Sequence, residues 1–245
     1  MDKSDIDIME KLFLTAKEKD EFEFCCTLLR VQGMRSAGWD SLFESHKLIT
    51  DMLSFLETPL EGKFKLRLLL LIYCHITEMN DFYSITANLL RVLKGERYSI
   101  NPFLYLLYED RQTVTSPIGK VDRIKFLSQN TEMEEIGNIY DYMLIRQVRN
   151  AFFHSNFVLY NNEFRITQGE GVNIEGVIQS SIPLEWLMPR IEFAVNLYLK
   201  LFSLIDEHIH SYNQDKRVSG RFGAMGQNVA ITLKANENGL YGFQS

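Results

Sequence analysis

Cysteine is scarce in this chain: Cys25, Cys26 and Cys74 are the three among 245 residues. An adjacent pair with a distant third matches neither a disulfide framework nor the paired spacing of a zinc site. Buried free thiols in a reducing cytoplasm are the expectation. Basic charge is also short. Twenty-six Lys and Arg stand against 32 Asp and Glu, for a net charge of −6. That argues against a general nucleic-acid binder, which needs surplus cations facing the phosphates. It leaves room for a local basic groove. No hydrophobic run is long enough for a bilayer, which needs about 20 apolar residues. The run LLLLIYCHI, residues 68–76, is closed by Lys65 and Arg67 on one side and Glu78 on the other. The start, MDKSDIDIMEKLF, is acidic where a secretory leader is basic. No repeat is visible. GEG at 169–171 lacks the Lys-Ser/Thr of a phosphate-binding loop. The expectation is a soluble, cytoplasmic protein with no membrane partner.

What is present is a helical pattern. Apolar content of 46% and charged content of 24% are globular values. Residues 4–32 read as one or two helices. Asp40 or Ser41 can cap a helix over 41–57, and Glu44 is placed to complete a capping box from Ser41. Pro59 and Gly62 mark the break that follows. Residues 63–94 carry the strongest pattern and predict one central helix stopped by Gly95. Residues 97–125 are mixed, with a helix start at Ser116-Pro117. Thr131 to Glu134 fits a capping box and predicts a helix to about residue 154, with Tyr140, Leu144, Val148, Ala151 and Phe152 as its core stripe.

After Ser155 the period changes. NFVLYNNEFRIT, residues 156–167, alternates around Asn161-Asn162, which tolerate the left-handed angles of a tight turn. Residues 169–181 read as loop or a further edge strand. Pro183 opens a final helix over 183–212, kinked or restarted at Pro189. The tail, 213–245, holds five of the fourteen glycines and reads as loose, with a hairpin around Asn238-Gly239. The expected fold is an all-α antiparallel bundle over residues 1–212, with a small hairpin inserted before the last long helix.

The stretch RNAFFH, 149–154, carries the chemistry. On a helix Arg146, Asn150 and His154 are each four apart and share one face. Asn150 points away from Val148 and the core stripe, and Arg149 lies at the stripe's edge. Such a set suits RNA cleavage without a metal. A 2′-hydroxyl can attack its own phosphate if a base takes its proton and a cation steadies the phosphorane. Histidine is the usual carrier of such a proton, and Arg offers phosphate a planar fork of donors. Asn150 would position the ring or touch the phosphate.

Arg149, Asn150 and His154, with four residues between the Arg and the His, resemble the signature of the HEPN family (higher eukaryotes and prokaryotes nucleotide-binding domain). The context is similar too: a helical bundle, the motif at the end of a late helix, then a hairpin and a closing helix, over residues 40–210. The resemblance implies a metal-independent endoribonuclease of toxin, antiviral or RNA-processing systems, with no cofactor. It also implies a homodimer with the two motifs facing each other. Glu78, in YCHITEMND, matches the acidic or polar residue found on an earlier helix of the family. Non-catalytic HEPN domains instead bind nucleotides or protein partners, and a toxin-type chain would have an antitoxin partner. The acidic net charge favours a defined RNA fold such as tRNA over any RNA.

Blander readings stand beside these. Arg149 to His154 also reads as a helix end with a cationic His favoured by the dipole. His75 and Glu78, three apart, read as a buried polar pair that satisfies itself. Tyr73 and Tyr83 read as core. His208 and His210 with Asp206 and Glu207 suggest a metal site, but spacing of two puts the imidazoles on different faces. Arg111, Lys120, Arg123 and Lys125 form the most basic stretch, relieved by Asp122. They guide an RNA backbone or make a solvated face. Trp39 and Trp186 read as core or interface anchors.

Overall fold

The computed structural model describes residues 1, 3–30, 40–103, 116–222 and 227–244. Trp39 and Arg111 lie outside the described residues. A 3-10 turn, Lys3–Asp7, leads into α1 (Ile8–Lys19) and α2 (Glu21–Leu29). Then come α3 (Ser41–Leu56), α4 (Gly62–Glu78), α5 (Asn80–Leu93), α6 (Pro117–Ser128), α7 (Glu135–Met143) and α8 (Arg146–Phe153). Five short strands follow: β1 (Phe157–Tyr160), β2 (Glu163–Ile166), β3 (Val172–Ile174), β4 (Val177–Gln179) and β5 (Ser181–Pro183). The long α9 (Leu184–His210) comes next, and β6 (Lys216–Phe222), β7 (Gln227–Asn236) and β8 (Gly239–Gln244) close the chain. Helix α9 packs on α4, α7, α1 and α2 and is buried along most of its length. No described helix is long and apolar enough to cross a membrane.

Caps fix several boundaries. Asp40 accepts from the Leu42 and Phe43 N–H groups and is the cap of α3, rather than Ser41. Ser116 accepts from Gly119 N–H, with Pro117 in the first turn of α6. The proposed central helix is in fact two. Met79, extended at φ −63° and ψ 121°, separates α4 from α5. Neither Pro nor Gly marks that break, so it is invisible in the periodicity. Pro189 sits within α9, which runs on through it.

The all-α expectation is overturned. About 59% of the described residues are helical and 18% are in strands, in three small antiparallel sheets, so the fold is mixed α/β. The hairpin at Asn161-Asn162 is present, both residues at positive φ (48° and 59°). β5 adds to β2, making a three-stranded sheet, and β3 with β4 forms a second hairpin.

The larger correction is the C-terminal segment, which is a β6-β7-β8 meander rather than a loose tail, although the hairpin expected around Asn238-Gly239 is there as the β7–β8 turn. Its inner face, Ile231, Leu233 and Leu240, is buried, and Phe243 meets Phe22 of α2 edge to face, centroids 5.2 Å apart. Two of its glycines serve close approach. A Cβ on Gly220 would lie 2.6 Å from the Phe22 ring. One on Gly239, at φ +95°, would lie 2.6 Å from the carbonyl oxygen of Ile209.

All three cysteines are free and buried, as expected. Burial pushes the thiols of Cys25 and Cys74 up to about 12, which keeps them protonated and inert.

Candidate functional site

The helix expected over 131–154 is broken, and the break aims the motif. α7 ends at Met143 and α8 starts at Arg146, with Ile145 between them at φ −106° and ψ 84°. The buried hydroxyl of Tyr73, on α4, bridges the gap. It donates to the Met143 carbonyl at 2.9 Å and accepts from the Ile145 N–H at 2.8 Å. Both backbone groups that the break orphans thus find one partner. Val148 and Ala151 turn into the core, as expected. Phe152 stacks on Phe157, and Phe157 on Phe164, tying α8 to the β1–β2 hairpin.

The helix closes just past His154. Ser155 takes a left-handed φ of 56°. Its N–H bonds to Phe152 O at 3.1 Å, and Asn156 N–H to Ala151 O at 2.8 Å. This is a Schellman stop with Ser where Gly is usual.

Arg149 is half-buried, its side chain 19% exposed. Its guanidinium ion-pairs with Glu78, from the C-terminal turn of α4, and donates to the Asn150 side-chain oxygen. Its Nε is buried with no partner among the described residues. Arg146 is more exposed and ion-pairs with Glu170, on the loop after β2. His154 is exposed at the helix end.

These residues divide two adjoining clefts. One, of about 690 Å³, lies between α8 and α6 and is lined by Pro117, Ile118, Asp122, Phe126, Leu144 and Arg149, among others. The second, of about 480 Å³, lies between α8 and the loop after β2. It is lined by Gln147, His154, Asn156, Gln168 and Glu170. Arg146 and Asn150 line both and form the ridge between them. So Glu78, Arg149 and Asn150 come together as the motif suggested, Arg146 joins them, and His154 looks onto the second cleft.

The basic stretch on α6 does not form an outward track. Lys120 is 6% exposed and Arg123 7%. Lys120 Nζ stands 5.4 Å from the Tyr83 ring centre. Burial lowers its pKa, Glu78 pulls it back up and Arg149 pushes it down, so Lys120 belongs to the charge cluster behind the cleft. Arg123 lies against the Phe126 ring, 5.1 Å from its centre. Lys125 pairs with Asp141 on α7 at 3.2 Å.

His75 and Glu78 do not satisfy one another: Glu78 goes to Arg149, and His75 Nε2 is buried with no partner among the described residues. Tyr73 and Tyr83 are core. Trp186 stacks under the Arg190 guanidinium, 3.6 Å from its ring centre. His208 is sandwiched by Phe13 and Phe24, apart from the exposed His210. Among the described residues no three His, Cys, Asp or Glu side chains gather to hold a metal ion.

Sequence reading missed Asp122, Phe126, Gln168 and Glu170. The first two were legible in principle: Ile118, Asp122 and Phe126 are four apart on α6 and share a face. Glu170 was not, because its partner Arg146 is fixed only by the path of the loop. No family model matches the chain, and no curated protein or solved structure is significantly similar to it.

Proposed function

We propose that the chain is a metal-independent endoribonuclease of the HEPN type that works as a homodimer. The 2′-hydroxyl of the substrate attacks the neighbouring phosphorus, the P–O5′ bond breaks, and a 2′,3′-cyclic phosphate and a 5′-hydroxyl result. One His154 imidazole takes the proton of the 2′-hydroxyl. A second, protonated one, from another copy, gives a proton to the leaving 5′-oxygen. Arg146, on the ridge, and Arg149 behind it balance the charge that builds on the phosphorane. Glu78 and Asn150 hold Arg149 in place.

The observation that carries this reading is the Glu78–Arg149–Asn150 cluster at the wall of an open cleft, one helical turn from an exposed His154. An ion pair at such a position orients a guanidinium more than it stabilises a fold. The dimer draws support from an exposed apolar strip that ends at Glu78. On α4 it runs through Phe64 and Leu71, with Phe55 of α3 edge-on to Phe64.

The test is cleavage of total RNA in EDTA by wild type and His154→Ala, with the new ends assayed for cyclic phosphate. Cleavage by wild type alone, with cyclic ends, is expected. The same apolar strip also suits a non-catalytic interaction module, and EDTA-resistant cleavage by neither protein would favour that reading.

A further inference from the structure

The ridge between the two clefts has a consequence for what is bound. The chain is acidic, Lys120 and Arg123 of α6 are buried, Lys125 is held by Asp141, and the one cation on the ridge itself is Arg146. Affinity for RNA therefore has to come from the bases rather than from a field of phosphates. The clefts differ in chemistry. The first has apolar walls, Pro117, Ile118, Leu144 and Phe126. Phe126 is 54% exposed there, with the Arg123 guanidinium 5.1 Å and the Lys94 ammonium 5.4 Å from its ring centre. One turn before it, on the same face, stands the carboxylate of Asp122, exposed and with no hydrogen bond or ion pair among the described residues. The second cleft carries three amides, Gln147, Asn156 and Gln168. Their side chains make no hydrogen bond among the described residues. Open clefts of about 690 and 480 Å³ are in the range that holds a small organic group.

We propose that the ridge separates two base subsites for single-stranded RNA, so that the site reads a dinucleotide step with guanine in the α6 cleft. This rests on the ribonuclease reading of the same site. An unpaired base can stack on Phe126, and stacking alone does not discriminate. Asp122 does. A carboxylate accepts only, and guanine offers two adjacent donors, N1–H and the N2 amino group, to its two oxygens. Adenine and cytosine offer an amino group beside an acceptor nitrogen that the carboxylate repels, and uracil offers one N–H between two carbonyls. The neighbouring base enters the amide cleft, where Gln and Asn both donate and accept and so tolerate more than one base edge. The phosphate between them lies over Arg146, which it takes from Glu170. That exchange is cheap, because both members of the pair are exposed.

The experiment is fluorescence anisotropy of the full chain with single-stranded RNA hexamers. They differ at two central positions, and a 2′-deoxy sugar at the step blocks cleavage. Guanine at one position is expected to bind roughly tenfold tighter than the other bases. Asp122→Asn should erase that preference and leave the affinity for the other hexamers in place. Phe126→Ala should weaken all hexamers roughly tenfold or more, and Phe126→Trp should restore them. Gln168→Ala should alter preference at the adjacent position alone. Cleavage of RNA by wild type with equal affinity for every hexamer, unmoved by Asp122→Asn and Phe126→Ala, would overturn the subsites and leave the ribonuclease standing. No binding and no cleavage would overturn both.

Discussion

Glu78, the last residue of α4, meets with its carboxylate the guanidinium of Arg149 in the middle of α8. The pair joins two helices that pack directly. It sits between the core and open water, with side-chain exposures of 42% and 19%. A guanidinium so placed is held by two partners and still borders a cleft. This is the arrangement expected of a positioned cation rather than of a surface salt bridge.

Removing either member should therefore cost more than a surface pair and less than a buried one. Glu78→Gln and Arg149→Met are each expected to lower unfolding free energy by about 1–2 kcal/mol. The double variant should lose less than the sum, with a coupling of about 1 kcal/mol. Urea unfolding of the four proteins measures the cycle. Strict additivity would mean the two side chains do not interact in solution.

Tyr73→Phe tests the break between α7 and α8. The hydroxyl is fully buried and serves both Met143 O and Ile145 N–H. Its loss leaves two backbone groups without a partner, a cost of about 2–6 kcal/mol at about 1–3 for each. The change removes one oxygen and leaves no large void, so packing loss is small. A shift in the urea midpoint with an unchanged slope is the expected signature. RNA cleavage should fall further than stability explains, because the tilt of α8 sets where Arg146 and His154 stand.

How much of this was legible follows from what each signal depends on. The Arg149, Asn150 and His154 spacing is local and could be read from the chain. Of the expected stripe, Tyr140, Val148 and Ala151 are buried despite the break, because both halves still face the core, whereas Leu144 and Phe152 are only partly buried and Leu144 lines the α6 cleft. The break did not announce itself, since a tyrosine seventy residues away satisfies it and no Pro or Gly is needed. The C-terminal sheet was misread for a different reason. Its glycines suggested slack, whereas Gly220 and Gly239 let strands approach Phe22 and the Ile209 carbonyl. The alternation Val229, Ile231, Leu233, Ala235 was present and pointed to a strand with one buried face. Lys120 and Arg123 looked like a solvated run because their burial comes from α5 and its surroundings, which sequence spacing does not reveal.

Gly239→Ala gives that lesson a measurement. The position has a left-handed φ, and the added methyl would meet backbone, which cannot swing aside as a side-chain tip can. A loss of about 1–3 kcal/mol is expected from strain and overpacking together. Gly242→Ala, where no atom lies within 4 Å of the added carbon, is the matched control and should be nearly neutral. Thermal unfolding of the two variants separates them.

Acid should destabilise the fold through its buried and half-buried imidazoles. Burial lowers the pKa of His208, and Lys17 nearby lowers it further, against smaller opposing pulls from Glu207 and Glu10. Burial lowers His46 and His75 as well. For each, the folded pKa lies below the unfolded value of 6.5, so the unfolded chain takes up the proton first. Stability is then complete above that value and falls as pH drops through it toward the folded pKa. Each histidine contributes a slope of up to about 1.4 kcal/mol per pH unit within its window. His208→Met keeps the apolar contacts with Phe13 and Phe24 and should flatten the decline that sets in as pH falls through 6.5. Urea titrations at several pH values read the slope, and an unchanged slope in the variant would assign the decline to other groups.

Salt dependence separates base-led binding from a hidden basic track. A single strand loses affinity with a slope of about 0.7 in log–log terms for each phosphate contacted. Arg146 alone, or Arg146 with Arg149, predicts a slope between about 0.7 and 1.4. A groove of several outward cations would give three or more. Arg146 is paired with Glu170 before RNA arrives, so each binding event must first part them. Glu170→Gln removes that competitor without touching the ridge and should tighten binding by a fewfold at low salt. The gain should shrink as salt rises, because an exposed carboxylate is screened in the same range. Arg146→Gln should cut the slope by about 0.7 and make Glu170→Gln silent in its background. A gain from Glu170→Gln that persists in that background would place the carboxylate's effect on some group other than Arg146.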